Sequence, residues 1–174
     1  MTISLPLPEE YLPYYGTYIH RVAGDPFAFM AQTHAALHAL LDGLSDAQAS
    51  ARPAPNEWNI KEIIGHVCDG ERLFGYRAMR FARNDMTPLA GMEPDPWVAN
   101  GEFSTRTLAD LLTEFDAVRA ATISMFRSFS EEVMLRRGQA SSAIVSVRAL
   151  LYITAGHEDH HLASIRAEYL GAKS

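Results

Sequence analysis

Three histidines and two carboxylates occupy five consecutive positions near the end of the chain, in the stretch AGHEDHHLASI at 155–165. His157 and His161 lie four residues apart, a spacing that places two side chains on the same face of an α-helix. Two imidazoles in that arrangement can bind one metal ion. From these residues alone, two interpretations stay open: a metal site, or a polar stretch on a packed helix.

A candidate third ligand lies in a second motif, EWNIKEIIGHVCDGERLFGYR at 57–77. His66 lies on the flank of the apolar stripe of the helix predicted there, so it would face a neighbouring helix. Gly70, one turn later, leaves room beside it. Three neutral imidazoles from two helices would form a site with open coordination positions, and imidazole suits Zn, Ni, Cu and Fe.

Three further histidines are candidates for a role at a metal site. His34 and His38 are also four residues apart, and His34 lies on the predicted inner face of the first helix. His160 lies near the edge of the face that carries His157, and two roles stay open for it: a ligand, or a neighbour of the ligands.

Glu71 is the one carboxylate near the middle of the apolar stripe of its helix. Burying an unpaired charge is costly, so this side chain needs a partner. Two roles stay open: a structural ion pair with an arginine, or support of the site by orienting a ligating histidine or exchanging protons.

Other residues carry weaker signals. The single cysteine, Cys68, is expected to pack as a small apolar side chain. Nothing selects a catalytic acid or base, although two tyrosines, Tyr76 and Tyr152, can donate protons. Four arginines are either solvated surface residues or an anion pocket: Arg72, Arg77, Arg148 and Arg166.

Four segments with helical periodicity position these residues, at about 26–43, 60–83, 105–129 and 146–170. Asp25 and Asn59 are good N-caps for the first two. The segment 84–104 is rich in Pro, Gly and Asn and predicts a long loop that partly covers the site. No segment shows sustained strand alternation. The pattern predicts an all-α fold, a four-helix bundle with one long cross-connection, as a single domain over 1–174.

The composition excludes several classes of function. The chain has 174 residues and a net charge of −6, so general affinity for nucleic acid or anionic membranes is not expected. One cysteine rules out an internal disulfide framework. The N-terminal residues do not resemble a signal peptide, and no apolar stretch approaches the roughly 20 residues that span a bilayer. We therefore expect a cytoplasmic protein.

Two motifs resemble the DinB/YfiT-like superfamily of metal-dependent enzymes. One is EWNIKEIIGHVCDGERLFGYRAMRFARND, and the other is SVRALLYITAGHEDHHLASI, with histidines at the first and last places of H-x-x-H-H. The resemblance implies an up-down-down-up four-helix bundle, often a homodimer. It also implies a divalent metal, nickel or zinc, held by His66, His157 and His161.

The resemblance also suggests the chemistry. Members of the family include transferases that use a low-molecular-weight thiol, so we expect a metal-dependent thiol transferase acting on a small-molecule substrate. Two alternatives stay open: a metal-dependent hydrolase using water at the same site, and a metal-binding bundle without enzymatic activity. In the last case the metal would be coordinatively closed and its removal would mainly lower stability.

Overall fold

The computed structural model describes residues 3–171, in which four long helices form a bundle. The α-helices in chain order are α1 (Gly16–Ile19), α2 (Pro26–Leu41), α3 (Asp46–Ala49), α4 (Ile60–Ala82), α5 (Pro94–Asn100), α6 (Leu108–Arg127), α7 (Glu131–Met134) and α8 (Val147–Ser164). A π-helical turn at Ile165–Tyr169 extends α8, and 3-10 turns lie at Pro8–Glu10, Pro13–Tyr15 and Phe103–Thr105. The predicted four-helix bundle is confirmed.

Side-chain caps fix where the long helices begin. The Asp25 carboxylate accepts a hydrogen bond from the backbone N–H of Ala28, at 2.9 Å. Asn59 and Glu62 form the predicted capping box, each side chain accepting a hydrogen bond from the other's backbone N–H. The Ser146 hydroxyl caps α8 by accepting a hydrogen bond from the backbone N–H of Ala149, at 3.0 Å. These short polar side chains satisfy N–H groups that have no partner within the helix.

Two hydrophobic clusters define the direction of each helix. The first contains the early part of α2 and α8 and the late part of α4 and α6, with Met30, Ile153, Phe81 and Phe126 as members. The second contains the opposite ends, including Leu37, Leu162, Ile64 and Leu111. Helices α2 and α8 therefore run one way, and α4 and α6 run the other, which is the up-down-down-up order that the resemblance implies.

The long connection between α4 and α6 is more ordered than predicted. Two parallel neighbours cannot be joined by a tight turn, so the chain must cross the length of the bundle. The segment 84–104, predicted as a loop, contains α5 and the start of a 3-10 turn. Pro94 and Pro96 suggested a helix breaker, but proline is tolerated in the first turn of a helix, where these residues lie.

A small hairpin between α7 and α8 was not predicted. Strands β1 (Arg137–Ala140) and β2 (Ala143–Ser146) pair antiparallel, and Leu89 of the long connection bridges to Ala140. The turn residues Ser141 and Ser142 have φ values of 51° and 63°. Such turns usually carry Asn-Gly or Gly, so two serines gave no hairpin signal.

Within residues 3–171, no helix combines the length and apolar character needed to cross a membrane.

The short helix α1 packs backbone against α8, at a contact that requires glycine. A Cβ atom on Gly156 would lie 2.0 Å from the carbonyl oxygen of Tyr18. The absence of that atom lets the Tyr18 ring lie against His157, with ring centroids 5.2 Å apart. The glycine therefore controls how the N-terminal segment approaches the histidines.

We predict that Gly156→Ala lowers the free energy of unfolding by about 1–3 kcal/mol, because the backbone of α1 must move away. Gly75→Ala is the matched control, since its Cβ would meet only the Met125 methyl group at an ordinary 3.7 Å. Alanine at that interior helix position should raise stability by up to about 1 kcal/mol. Urea unfolding measures both, and equal stabilities for the two variants would contradict the close approach.

Candidate metal centre

The imidazoles of His66, His157 and His161 converge at one point between α4 and α8. The Nε2 atom of His157 lies 3.1 Å from Nε2 of His66 and 3.2 Å from Nε2 of His161. One ligand atom from each of the three lies within 4.8 Å of the other two. The structure thus brings together the three residues that the sequence singled out as a metal site.

Local features of two helices produce this arrangement. Because α4 and α8 are antiparallel neighbours, the flank of α4 that carries His66 faces the side of α8 that carries His157 and His161. Gly70 makes the contact close: a Cβ atom there would lie 2.9 Å from Cε1 of His157. Gly70, which was predicted to leave space beside His66, makes room for His157 on α8.

Burial keeps the three imidazoles neutral near pH 7. His66 and His157 are only 6% and 5% exposed. Loss of hydration lowers the pKa of His66 to about 4 and the pKa of His161 to about 3. The same effect lowers the pKa of His157 well below its usual value, and the neighbouring histidines lower it further. Each ring therefore keeps a nitrogen lone pair that can bind a metal.

The donor set and its spacing fit a divalent ion. Zinc–imidazole bonds of about 2.0–2.1 Å, at angles between octahedral and tetrahedral, require about 2.8–3.4 Å between neighbouring nitrogens. The two measured Nε2 separations, 3.1 and 3.2 Å, fall inside that interval. Three neutral nitrogens on one side of an ion leave positions open on the other side.

The open side faces a cavity of about 270 Å³. Its wall is built from the N-terminal segment, α4, the long connection, the hairpin turn and α8. The lining residues are Tyr14, Tyr15, Tyr18, Trp58, His66, Leu73, Phe74, Arg77, Met92, Pro94, Ser141, His157, His160 and His161. Met92 and Pro94 come from the segment predicted to cover the site, so that prediction is consistent with the structure.

The tyrosines of the N-terminal segment were missed by the sequence reasoning. The ring of Tyr18 contacts the rings of His157 and His160 edge to face, with centroids 5.2 and 5.4 Å apart. Its hydroxyl lies 2.9 Å from that of Tyr14. The only available signal was the density of tyrosines in PYYGTY at 13–18.

Glu71 supports the bundle rather than the histidines, which answers the question that the sequence left open. It is 2% exposed, and its carboxylate accepts hydrogen bonds from Nε and Nη2 of Arg119, the Nη2 bond at 2.7 Å. A residue five positions after His66 points about 140° away from it around the helix. The structure therefore favours the structural role considered for Glu71, because its carboxylate serves an ion pair on the other side of α4.

His160 lies at the cavity beside the three convergent histidines, as expected. Its ring centroid is 5.1 Å from that of His161. It is exposed to solvent, whereas His66 and His157 are buried. It does not belong to the group whose ligand atoms lie within 4.8 Å of one another.

Of the four arginines considered for an anion pocket, Arg77 alone lines this cavity. Arg72 pairs with Glu114, and Arg148 pairs with Glu10. Of the two tyrosines, Tyr152 donates its hydroxyl to the carbonyl of Ile3, away from the histidines.

Cys68 is buried among apolar side chains, and burial raises the pKa of its thiol to about 12. The predicted packing role is consistent with that environment.

The rival candidate ligands, His34 and His38, lie between α2 and α6. The Nε2 atom of each lies 2.8 Å from the Asp116 carboxylate. His34 is therefore not a ligand of the His66 site.

We predict that Glu71→Gln lowers the free energy of unfolding by about 3 kcal/mol, because it leaves Arg119 buried with one carboxylate fewer. The metal held by His66, His157 and His161 should stay bound, because Glu71 does not contact these histidines. Glu114→Gln, which removes half-exposed pairs with Arg72 and Arg106, is the control and should cost less than about 1 kcal/mol. Loss of metal without loss of stability would instead place Glu71 at the site.

Comparison with known proteins identifies relatives of this chain. A protein of Halalkalibacterium halodurans, named "Putative metal-dependent hydrolase", is 24% identical over 141 residues, which cover 79% of this chain and 80% of that protein. The structure of YfiT from Bacillus subtilis, described as a probable metal-dependent hydrolase with an unusual four-helix bundle topology, superposes with a TM-score of 0.74. It is 15% identical, and the match covers 95% of this chain and 92% of YfiT.

A second solved structure, the four-helix bundle protein TT2238, superposes with a TM-score of 0.61 at 19% identity, covering 82% of this chain and 96% of that protein. At these identities the two structures establish the bundle fold. The profile of the DinB superfamily matches residues 30–165, a span that includes all three convergent histidines. The chain belongs to the DinB superfamily.

Proposed function

We propose that this protein is a divalent-metal-dependent hydrolase that acts on a small molecule. The observation that carries the proposal is the convergence of three neutral Nε2 atoms beside an accessible cavity. The description of the H. halodurans relative as a metal-dependent hydrolase supports it. In this proposal His66, His157 and His161 hold the ion, and the substrate enters the 270 Å³ cavity.

The residues around the cavity suit this chemistry. When bound, a divalent ion supplies Lewis acidity, which polarises a carbonyl oxygen and makes water a stronger acid. Burial and the neighbouring hydroxyl of Tyr14 raise the pKa of Tyr18, so its phenol stays protonated and can donate a hydrogen bond to a substrate oxygen. The exposed imidazole of His160 lies at the same cavity, where it can accept a proton. Met92 and Pro94 of the long connection line the same cavity.

The name of the H. halodurans relative favours water over a thiol cofactor as the nucleophile, because it describes a hydrolase. The cavity beside the histidines is partly open and accepts either nucleophile. Thiol transfer, the leading expectation from the sequence, becomes the second candidate, and a requirement for added thiol separates the two.

The cavity also supports an enzymatic role over a purely structural metal. An ion that only ties two helices together is expected to have four protein ligands and no open position. Here three imidazoles converge, and the side opposite them opens on the cavity. Nickel or zinc as the ion, a homodimer and a cytoplasmic location stay predictions.

The proposal is tested on untagged protein purified without added metal or chelator. We expect about one tightly bound divalent ion per chain by plasma mass spectrometry, and hydrolysis of a panel of small esters and amides in the absence of thiol. The double variant His157→Ala/His161→Ala should lose the tightly bound ion and the hydrolysis. His160→Gln should retain the ion but lose at least tenfold in kcat, as expected for loss of a proton acceptor.

His20→Gln is the control for removing a histidine, because His20 contacts Tyr11 and is not part of the cavity. It should keep both metal and activity. If turnover requires an added low-molecular-weight thiol, the protein is a thiol transferase and not a hydrolase. Full metal content in the double variant would contradict the site itself.

A further inference from the structure

A second group of potential ligands lies between α2 and α6, away from the three convergent histidines. Oδ1 of Asp116 is 2.8 Å from Nε2 of His34 and 2.8 Å from Nε2 of His38. The two imidazoles stand one helical turn apart on α2, with ring centroids 4.8 Å apart. Two nitrogens and one carboxylate oxygen therefore meet at one point.

A buried carboxylate stands behind this group. Oε1 of Glu158 lies 3.7 Å from Nδ1 of His34, and within residues 3–171 neither atom has a hydrogen-bond partner. Glu158 is 1% exposed, and its other oxygen accepts hydrogen bonds from Thr33 and Arg119. Oε1 is thus the acceptor available to an N–H at Nδ1 of His34, once a small side-chain movement closes the 3.7 Å gap. That tautomer leaves the lone pair of His34 on Nε2, directed towards Asp116, which is how carboxylates orient metal-binding histidines.

The charges of the surrounding side chains favour a cation. Glu71 and Glu158 share a single buried guanidinium, that of Arg119. With Asp116 the region holds three carboxylates and one guanidinium, a net charge of −2 when both histidines are neutral. A divalent ion at this point would balance that charge, and it would separate the lone pair of His34 from the carboxylate that faces it.

We propose that His34, His38 and Asp116 form a second divalent-metal site, with Glu158 as the residue that orients His34. Two imidazoles and one carboxylate suit a first-row transition ion. The side chains of His34, His38 and Asp116 are 23%, 39% and 50% exposed, so the ion exchanges with solvent and binds more weakly than one held by the buried histidines. This site does not depend on the proposed hydrolase function.

The competing arrangement is a protonated His34 that bridges Glu158 and Asp116 with no metal. The carboxylate of Glu158 raises the pKa of His34, which also suits a proton at this place. A metal and a proton compete for the same nitrogen, so the two arrangements differ in whether added metal binds.

The test measures Zn²⁺ bound to the full chain by equilibrium dialysis followed by plasma mass spectrometry. We expect two ions per chain for the parent and one for Asp116→Asn, with at least a tenfold loss of affinity at the weaker site. His66→Gln/His161→Gln should keep one ion, and the combined triple variant should bind almost none. Asp110→Asn, which alters an exposed carboxylate on the same helix α6, is the control and should bind two.

Equal Zn²⁺ binding by the parent and Asp116→Asn would overturn the second site. So would a folded His66→Gln/His161→Gln variant, by circular dichroism, that binds no ion. If that double variant fails to fold, the comparison of Asp116→Asn with the parent still decides. Failure of the first site gives a different pattern, because Zn²⁺ binding then depends on Asp116 but not on His66 and His161.

Discussion

The guanidinium of Arg119 on α6 contacts the three other long helices of the bundle. It donates hydrogen bonds to Glu71 on α4, to Glu158 on α8 and to the backbone carbonyl of Met30 on α2. Arginine suits this place because its planar group offers five donors in fixed directions and keeps its charge when buried. Removing any one partner leaves a buried charge incompletely paired, which is far more costly than losing a surface ion pair.

This ion pair also determines where the histidines lie. Glu158 directly follows His157 in α8, so fixing its carboxylate on Arg119 fixes the rotation of α8. His157, about 100° around the helix from Glu158, then faces α4, where Gly70 admits its ring beside His66. The ion-pair network and the imidazole cluster lie on two faces of one helix. A buried network and a candidate metal centre thus share the same helical turns, and α8 positions both.

Much of the histidine site was predictable because it depends on local rules. A four-residue spacing on a helix places His157 and His161 together without any knowledge of the tertiary structure. The position of His66 on the flank of its apolar stripe predicted that it would face another helix, and the antiparallel packing of α4 and α8 makes that helix α8. The helix starts followed from caps, which are also local.

The rest depends on contacts between distant parts of the chain. Arg119 is the central cation of the bundle, yet in the sequence it is one of several arginines on an amphipathic helix. Tyr18 reaches the cavity only because Gly156, more than 130 residues later, lets α1 touch α8. In the sequence, Glu71 suits both an ion pair and a role at the site, and only the packing of α6 against α4 favours one of them. Non-local packing of this kind has no periodic signal in sequence.

The most direct test of the metal centre is diffraction from crystals of the protein grown with Zn²⁺, with data collected on both sides of the zinc absorption edge. We expect an anomalous peak about 2.0–2.1 Å from Nε2 of each of His66, His157 and His161. At least one coordination position of the ion should be open towards the cavity. Three imidazoles that hydrogen-bond to one another, with no anomalous peak between them, would contradict a metal centre at this place.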